Sequence, residues 1–133
     1  MTLRYLLDTN ICIYVINNYP APLRARFERF IDQLCVSSIT VGELYFGAEK
    51  SARRSDNIAA VEEFCERLDV LPFTAKAAAQ YGRMRAQLAK RGTPIGALDL
   101  LIGAHARAEG LTLVTNNLRE FRRLPDLHVE NWV

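Results

Sequence analysis

Short apolar runs alternate with longer helical stretches along this chain, and that alternation restricts its fold more than any other feature. Residues 4–7 (RYLL), 34–37 (LCVS), 69–71 (DVL) and 111–115 (LTLVT) are too short for helices and rich in Leu and Val. They read as strands, and residues 128–131 as a short last one. Between them the sequence predicts a helix over 11–18, then a second from the break at Pro20 and Pro22 to about residue 33. A third opens at Ser38 or Thr40 and runs to residue 50, and a fourth spans 58–67, after a polar loop at 51–57. Thr74 caps a long Ala-rich helix that stops at Gly92, and another spans 97–109 and stops at Gly110. Strands joined by long helical crossovers pair in parallel and are covered on both faces. The expected fold is therefore α/β, three layers deep, with a mostly parallel sheet of four or five short strands.

With 133 residues, half of them apolar, the chain suits one domain over residues 1–133. The opening MTLRYLLDTN carries an acid at position 8 and no long apolar run, so neither a signal peptide nor a membrane span is expected, and the protein is expected in the cytoplasm. Cys12, Cys35 and Cys65 are an odd number, widely spaced among apolar neighbours, and read as buried thiols in a reducing compartment. A net charge of +2 does not announce a nucleic-acid protein. The cations are nevertheless 14 Arg against 3 Lys, and guanidinium is the better group for phosphates and stacked bases.

In a parallel α/β fold ligands bind beyond the carboxyl ends of the strands, where the strand order reverses. Asp8 follows the first strand directly. Glu43 lies early in the helix after the second strand, and helical side chains lean toward the N-terminus, back to the same edge. Asp99 sits near the start of the helix leading into the fourth strand; Asn117 follows that strand, with Glu120 one turn on. Each has an ordinary structural role available: Asp8 as an N-cap, Glu43 with Thr40 as a capping box, Asp99 in a favourable first turn. Asn117 suits a turn, and Glu120 can pair with Arg119 or Arg123. Separate structural roles do not account for their common edge, because gathered carboxylates repel unless a cation neutralises them. The donors are oxygens without suitably spaced Cys or His, which favours Mg²⁺ or Mn²⁺ over zinc. His105 and His128 read as structural or surface residues.

Four blocks in order, LLDTN, SSITVGELYFGAEKS, GTPIGALDLLIGAHA and LTLVTNNLREF, make the chain resemble PIN-domain ribonucleases of the VapC toxin type over essentially its whole length. The resemblance implies that Asp8, Glu43 and Asp99 are metal-binding carboxylates. It sets Asn117 where many relatives carry a fourth acid, with the frequent carboxylate position Glu120 just after. Thr9 and Thr115 fall on family hydroxyl positions that orient carboxylates or water.

The activity implied by this likeness is that of an endoribonuclease whose metal activates a water and offsets phosphoryl charge. RNA would be cut to a 5'-phosphate and a 3'-hydroxyl, with the anticodon loop of initiator tRNA as the implied target. Arg119, Arg122 and Arg123, at i, i+3 and i+4, are candidates for phosphate contact from one helical face. The likeness also implies a homodimer and a VapB-type antitoxin whose tail, often through an Arg, fills the acidic pocket. The rival class is a non-catalytic RNA-binding or protein-interaction module on the same fold, against which the three carboxylates argue.

Overall fold

The computed structural model describes residues 2–133. The elements run β1 (Tyr5–Leu7), α1 (Thr9–Ile16), α2 (Ala21–Arg29), β2 (Leu34–Ser37), α3 (Ser38–Glu49) and α4 (Arg54–Glu66). They continue with β3 (Asp69–Leu71), α5 (Ala75–Arg91), α6 (Ala97–Ala108), β4 (Thr112–Val114), α7 (Leu118–Phe121) and β5 (Val129–Glu130). The five strands form one sheet in the order β3-β2-β1-β4-β5, and every pairing is parallel.

Strand side chains alternate between faces, and the three central strands are buried on both. Tyr5, Leu7, Leu34, Val36 and Val114 pack with α1–α4, where Leu23, Phe27, Val61, Phe64 and Trp132 fill the layer. Leu6, Cys35 and Leu113 face the other way, onto Met84 and Leu88 of α5, Leu100 and Ile102 of α6, and Phe121. Helices on both faces of a parallel sheet are the three-layer arrangement expected from the alternation. Burial pushes the Cys35 thiol up to about 12, so it behaves as a small apolar side chain. All three cysteines are free; Cys65 is only half-buried.

Several boundaries differ from expectation for local reasons. Helix α1 opens at Thr9 rather than residue 11, because Asp8 is its N-cap and accepts from the Ile11 amide. Helix α2 stops at Arg29, and the segment expected to continue it is a 3₁₀ turn over Ile31–Gln33. The stretch read as a loop over 51–57 is already helical from Arg54: Asp56 stands in the first turn of α4, where the macrodipole favours an acid, and Arg53 bonds to it at 2.7 Å. Helix α5 follows the predicted limits, with Thr74 Oγ1 accepting from the Ala77 amide and Gly92 closing it at φ +69°.

Candidate active site

The strand order reverses between β1 and β4. From β1 the chain moves outward to β2 and β3; it then returns to the opposite side of β1 for β4 and β5. The register pairs Leu7 with Val114, so Asp8 and Thr115 leave the sheet side by side. The Asp8 amide donates to the Val114 carbonyl at 3.0 Å, which carries the pairing one step past the strand. Thr115 Oγ1 donates to Asp8 Oδ2 at 2.5 Å and accepts from the Asn117 amide at 2.9 Å. Asp8 Oδ1 accepts the Ile11 amide at 3.0 Å. The cap bond and the Thr115 bond thus use different oxygens of Asp8, and each oxygen keeps a further lone pair.

Glu43 reaches the same edge by a route the sequence misread. Helix α3 is capped by Ser37, whose Oγ accepts from the Ile39 amide at 3.1 Å, so no capping box forms between Thr40 and Glu43. Thr40 is fully buried, with its hydroxyl 3.2 Å from that of Thr9, a bond that ties α1 to α3. Glu43 then lines an open groove of about 430 Å³ with Asp8, Thr9 and Asp99. Carboxylates from the cap of α1, from α3 and from α6 therefore share one concavity at the carboxyl edge.

The electrostatics are those of a site short of positive charge. Burial raises the Asp8 pKa above its ordinary value; the Thr115 and Ile11 bonds oppose that rise, and the Asp99 charge adds to it. Burial also raises Asp99, and the Glu120 charge raises it further. A cation would relieve both effects, and an all-oxygen donor set suits a hard one. Among the described residues no three Asp, Glu, His or Cys side chains stand close enough to grip an ion as they are. The fit accordingly rests on donor chemistry: Asp8 and Asp99 with the half-buried Glu43 on one groove.

Asn117 stands beside Asp99. Its amide nitrogen lies 3.5 Å from Asp99 Oδ2, where it offers a proton to the carboxylate. Glu120 pairs with Arg123 at 3.5 Å and acts on Asp99 through its charge. The three arginines do not share a regular helical face. Helix α7 ends at Phe121, and the amides of Arg123 and Leu124 bond three residues back, to Glu120 and Phe121. That tighter winding turns Arg123 inward, where its guanidinium donates to the Pro94 carbonyl at 3.1 Å; Arg119 and Arg122 are exposed.

His105 is structural, as expected: fully buried, its Nδ1 is 2.8 Å from Ser37 Oγ and its ring meets Phe73 edge-on at 5.3 Å. Burial lowers its pKa below the ordinary value. Sequence reasoning gave Thr40 a capping role rather than its bond to Thr9, and it missed the groove's rim: Phe46, Lys50, Leu98 and Ile13. Of these only Phe46 stands one helical turn from a carboxylate, three residues beyond Glu43, and helical spacing alone does not distinguish a rim from a core.

Comparison with known proteins places this geometry. The PIN-domain family model matches residues 5–127. The chain belongs to the PIN-domain family. Its PIN-domain relatives include ribonuclease VapC2 of Haemophilus influenzae, 53% identical over 131 residues that cover 98% of this chain and 99% of that protein. The tRNA(fMet)-specific endonuclease VapC of Salmonella typhimurium is 48% identical over 130 residues, 98% of each chain. Among solved PIN-domain structures, DNA-bound VapBC from Salmonella typhimurium superposes with a TM-score of 0.95 at 48% identity, over 98% of this chain and 99% of that one. VapBC2 from Rickettsia felis, bound to a promoter DNA fragment, gives 0.92 at 41% identity over the full length of both. The five-stranded parallel sheet and its flanking helices are thus those of VapC-type PIN domains.

Proposed function

We propose that this protein is a divalent-metal-dependent endoribonuclease toxin that cuts tRNA, with the anticodon loop of initiator tRNA as target, and thereby inhibits translation. One observation carries the reading: carboxylates from three remote segments line one groove at the strand-order reversal. The chain around that groove is about half identical to a tRNA(fMet)-specific endonuclease. Asp8, Glu43 and Asp99 would hold Mg²⁺ or Mn²⁺, with Asn117 and Glu120 beside them. When bound, such an ion lowers the pKa of a water and offsets the charge growing on the phosphoryl oxygens.

The protein's own residues hold that donor set in place. Thr115 and the Ile11 amide fix both oxygens of Asp8, and the Thr9–Thr40 bond sets α1 against α3. Asn117 steadies Asp99. Arg119 and Arg122, exposed beside this edge, meet RNA phosphates. Arg123 was a third candidate; its bonds to Glu120 and Pro94 favour a bracing role.

A VapB-type antitoxin is the partner this reading requires, supported by relatives solved as VapBC complexes. A basic tail from it would neutralise the same carboxylates that a metal does. A homodimer in the cytoplasm completes the proposal. Among the described residues no helix is long and apolar enough to cross a membrane. The test is cleavage of an initiator-tRNA transcript with Mg²⁺, Mn²⁺ or EDTA, by wild type, Asp8→Asn and Asp99→Asn. Metal-dependent scission lost in both variants supports the proposal. Equal scission in EDTA, or by the variants, would refute it.

A further inference from the structure

The groove is acidic at its floor, and a polyanionic substrate needs something else to hold it there. Its rim supplies an aromatic ring and a cation on one helix. Glu43, Phe46 and Lys50 stand in succession at i, i+3 and i+7 along α3 and the residue that closes it, and all three line the groove. At the helical rise they stand about 4.5 Å and about 10.5 Å apart along the axis, measured from Glu43. Phe46 is 60% exposed although it is large and apolar. Lys50 Nζ lies 4.8 Å from the Phe46 ring centroid, which sets a positive charge beside the ring. Lys50 is the sole cation among the groove-lining residues. Gly47 adds no side chain on this face, and a Cβ built there would meet no atom within 4 Å.

Resting on the ribonuclease reading, we infer that Phe46 and Lys50 form a nucleotide subsite adjoining the carboxylates: Phe46 stacks the base next to the cleaved bond, and Lys50 contacts the next phosphate along. The order along α3 is carboxylate, flat apolar ring, cation, and it mirrors the order phosphate, base, phosphate along a single strand. Unpaired bases are held by stacking on aromatic side chains, and phosphates by point charges. Leu98, 43% exposed across the groove on α6, supplies a second apolar surface near the bound base. A partner protein could also cover exposed apolar side chains. The lysine and the shared groove with the carboxylates favour the nucleotide.

The test uses full-length protein, saturating Mg²⁺ and an initiator-tRNA transcript. Phe46→Ala should raise KM about tenfold, equivalent to about 1.4 kcal/mol, with kcat little changed. Phe46→Tyr, which keeps a π face, should restore it. Lys50→Gln should lower the slope of log KM against log salt by about one. An abasic nucleotide at one position beside the cleaved bond should weaken wild type by a similar factor and leave Phe46→Ala unaffected. The melting temperature should be the same in all three variants, because the side chains are exposed. Unchanged KM in Phe46→Ala, or an abasic penalty that persists in it, overturns the subsite. So does unaltered cleavage combined with weakened binding of a purified VapB-type antitoxin, which would assign the rim to a protein. Wild type that cuts no RNA instead defeats the ribonuclease reading itself.

Discussion

Thr115 makes the bond on which the geometry of Asp8 most depends, and replacing it with Val isolates that bond. Valine fills the same volume, so no cavity opens in a site that is fully buried. Two polar groups lose their partner: Asp8 Oδ2, bonded at 2.5 Å, and the Asn117 amide, bonded at 2.9 Å. A hydrogen bond to a charged group contributes about 1.5–3 kcal/mol, and a part-buried amide about 1 kcal/mol, so the loss should be about 3 kcal/mol. Unfolding entropy of about 2.1 cal/mol/K per residue gives about 0.28 kcal/mol/K for 133 residues, hence a melting temperature lower by about 11 °C. Thr115→Ser keeps both bonds and loses one methyl, about 1 kcal/mol or about 4 °C. Both should be melted at about pH 8, since at lower pH Asp8 can take up a proton and hide part of the loss. Equal stability of the Val and Ser variants, or a Val variant more stable than wild type, would refute this account of the site.

The buried imidazole of His105 makes a second prediction, for pH. Its folded pKa is lowered from 6.5, so below pH 6.5 the unfolded chain binds the proton that the folded chain refuses. Stability is whole above pH 6.5 and falls as pH drops toward the lowered native value. The urea midpoint of wild type relative to His105→Asn should therefore shrink between about pH 7 and pH 5; a constant difference would contradict the assigned burial effect. Third, Mg²⁺ or Mn²⁺ should stabilise EDTA-treated protein by about 2.7 kcal/mol at a hundredfold excess over Kd, read as a higher melting temperature. Calorimetry should find that gain abolished in Asp8→Asn, and a gain that survived there would move the cation elsewhere.

Much of the site was readable because helices and strands have fixed periods. Placing Asp8 after β1, Glu43 early in α3 and Asp99 early in α6 needed only the alternation of elements and the lean of helical side chains. The resemblance to PIN-domain ribonucleases added the expected role of each. Boundaries were harder where composition and structure diverge. The polar run before residue 58 looks like a loop, yet an Arg53–Asp56 pair and a favourable first turn make it the start of α4. The capping-box spacing at Thr40 and Glu43 was present without the box, because Ser37 caps the helix one turn earlier.

Local sequence by itself determined the succession of strands and helices along the chain, the caps at Asp8 and Thr74 and the stop at Gly92, since each depends on neighbours within a few residues. Only the tertiary structure decided that β4 lies beside β1. That pairing brings a hydroxyl 107 positions away onto Asp8, a contact no local pattern encodes. It also decided that Thr40 faces Thr9 and that Arg123 braces Pro94. The same packing leaves Phe46 at the groove's mouth, because whether a helical stripe becomes core or rim depends on what packs against it.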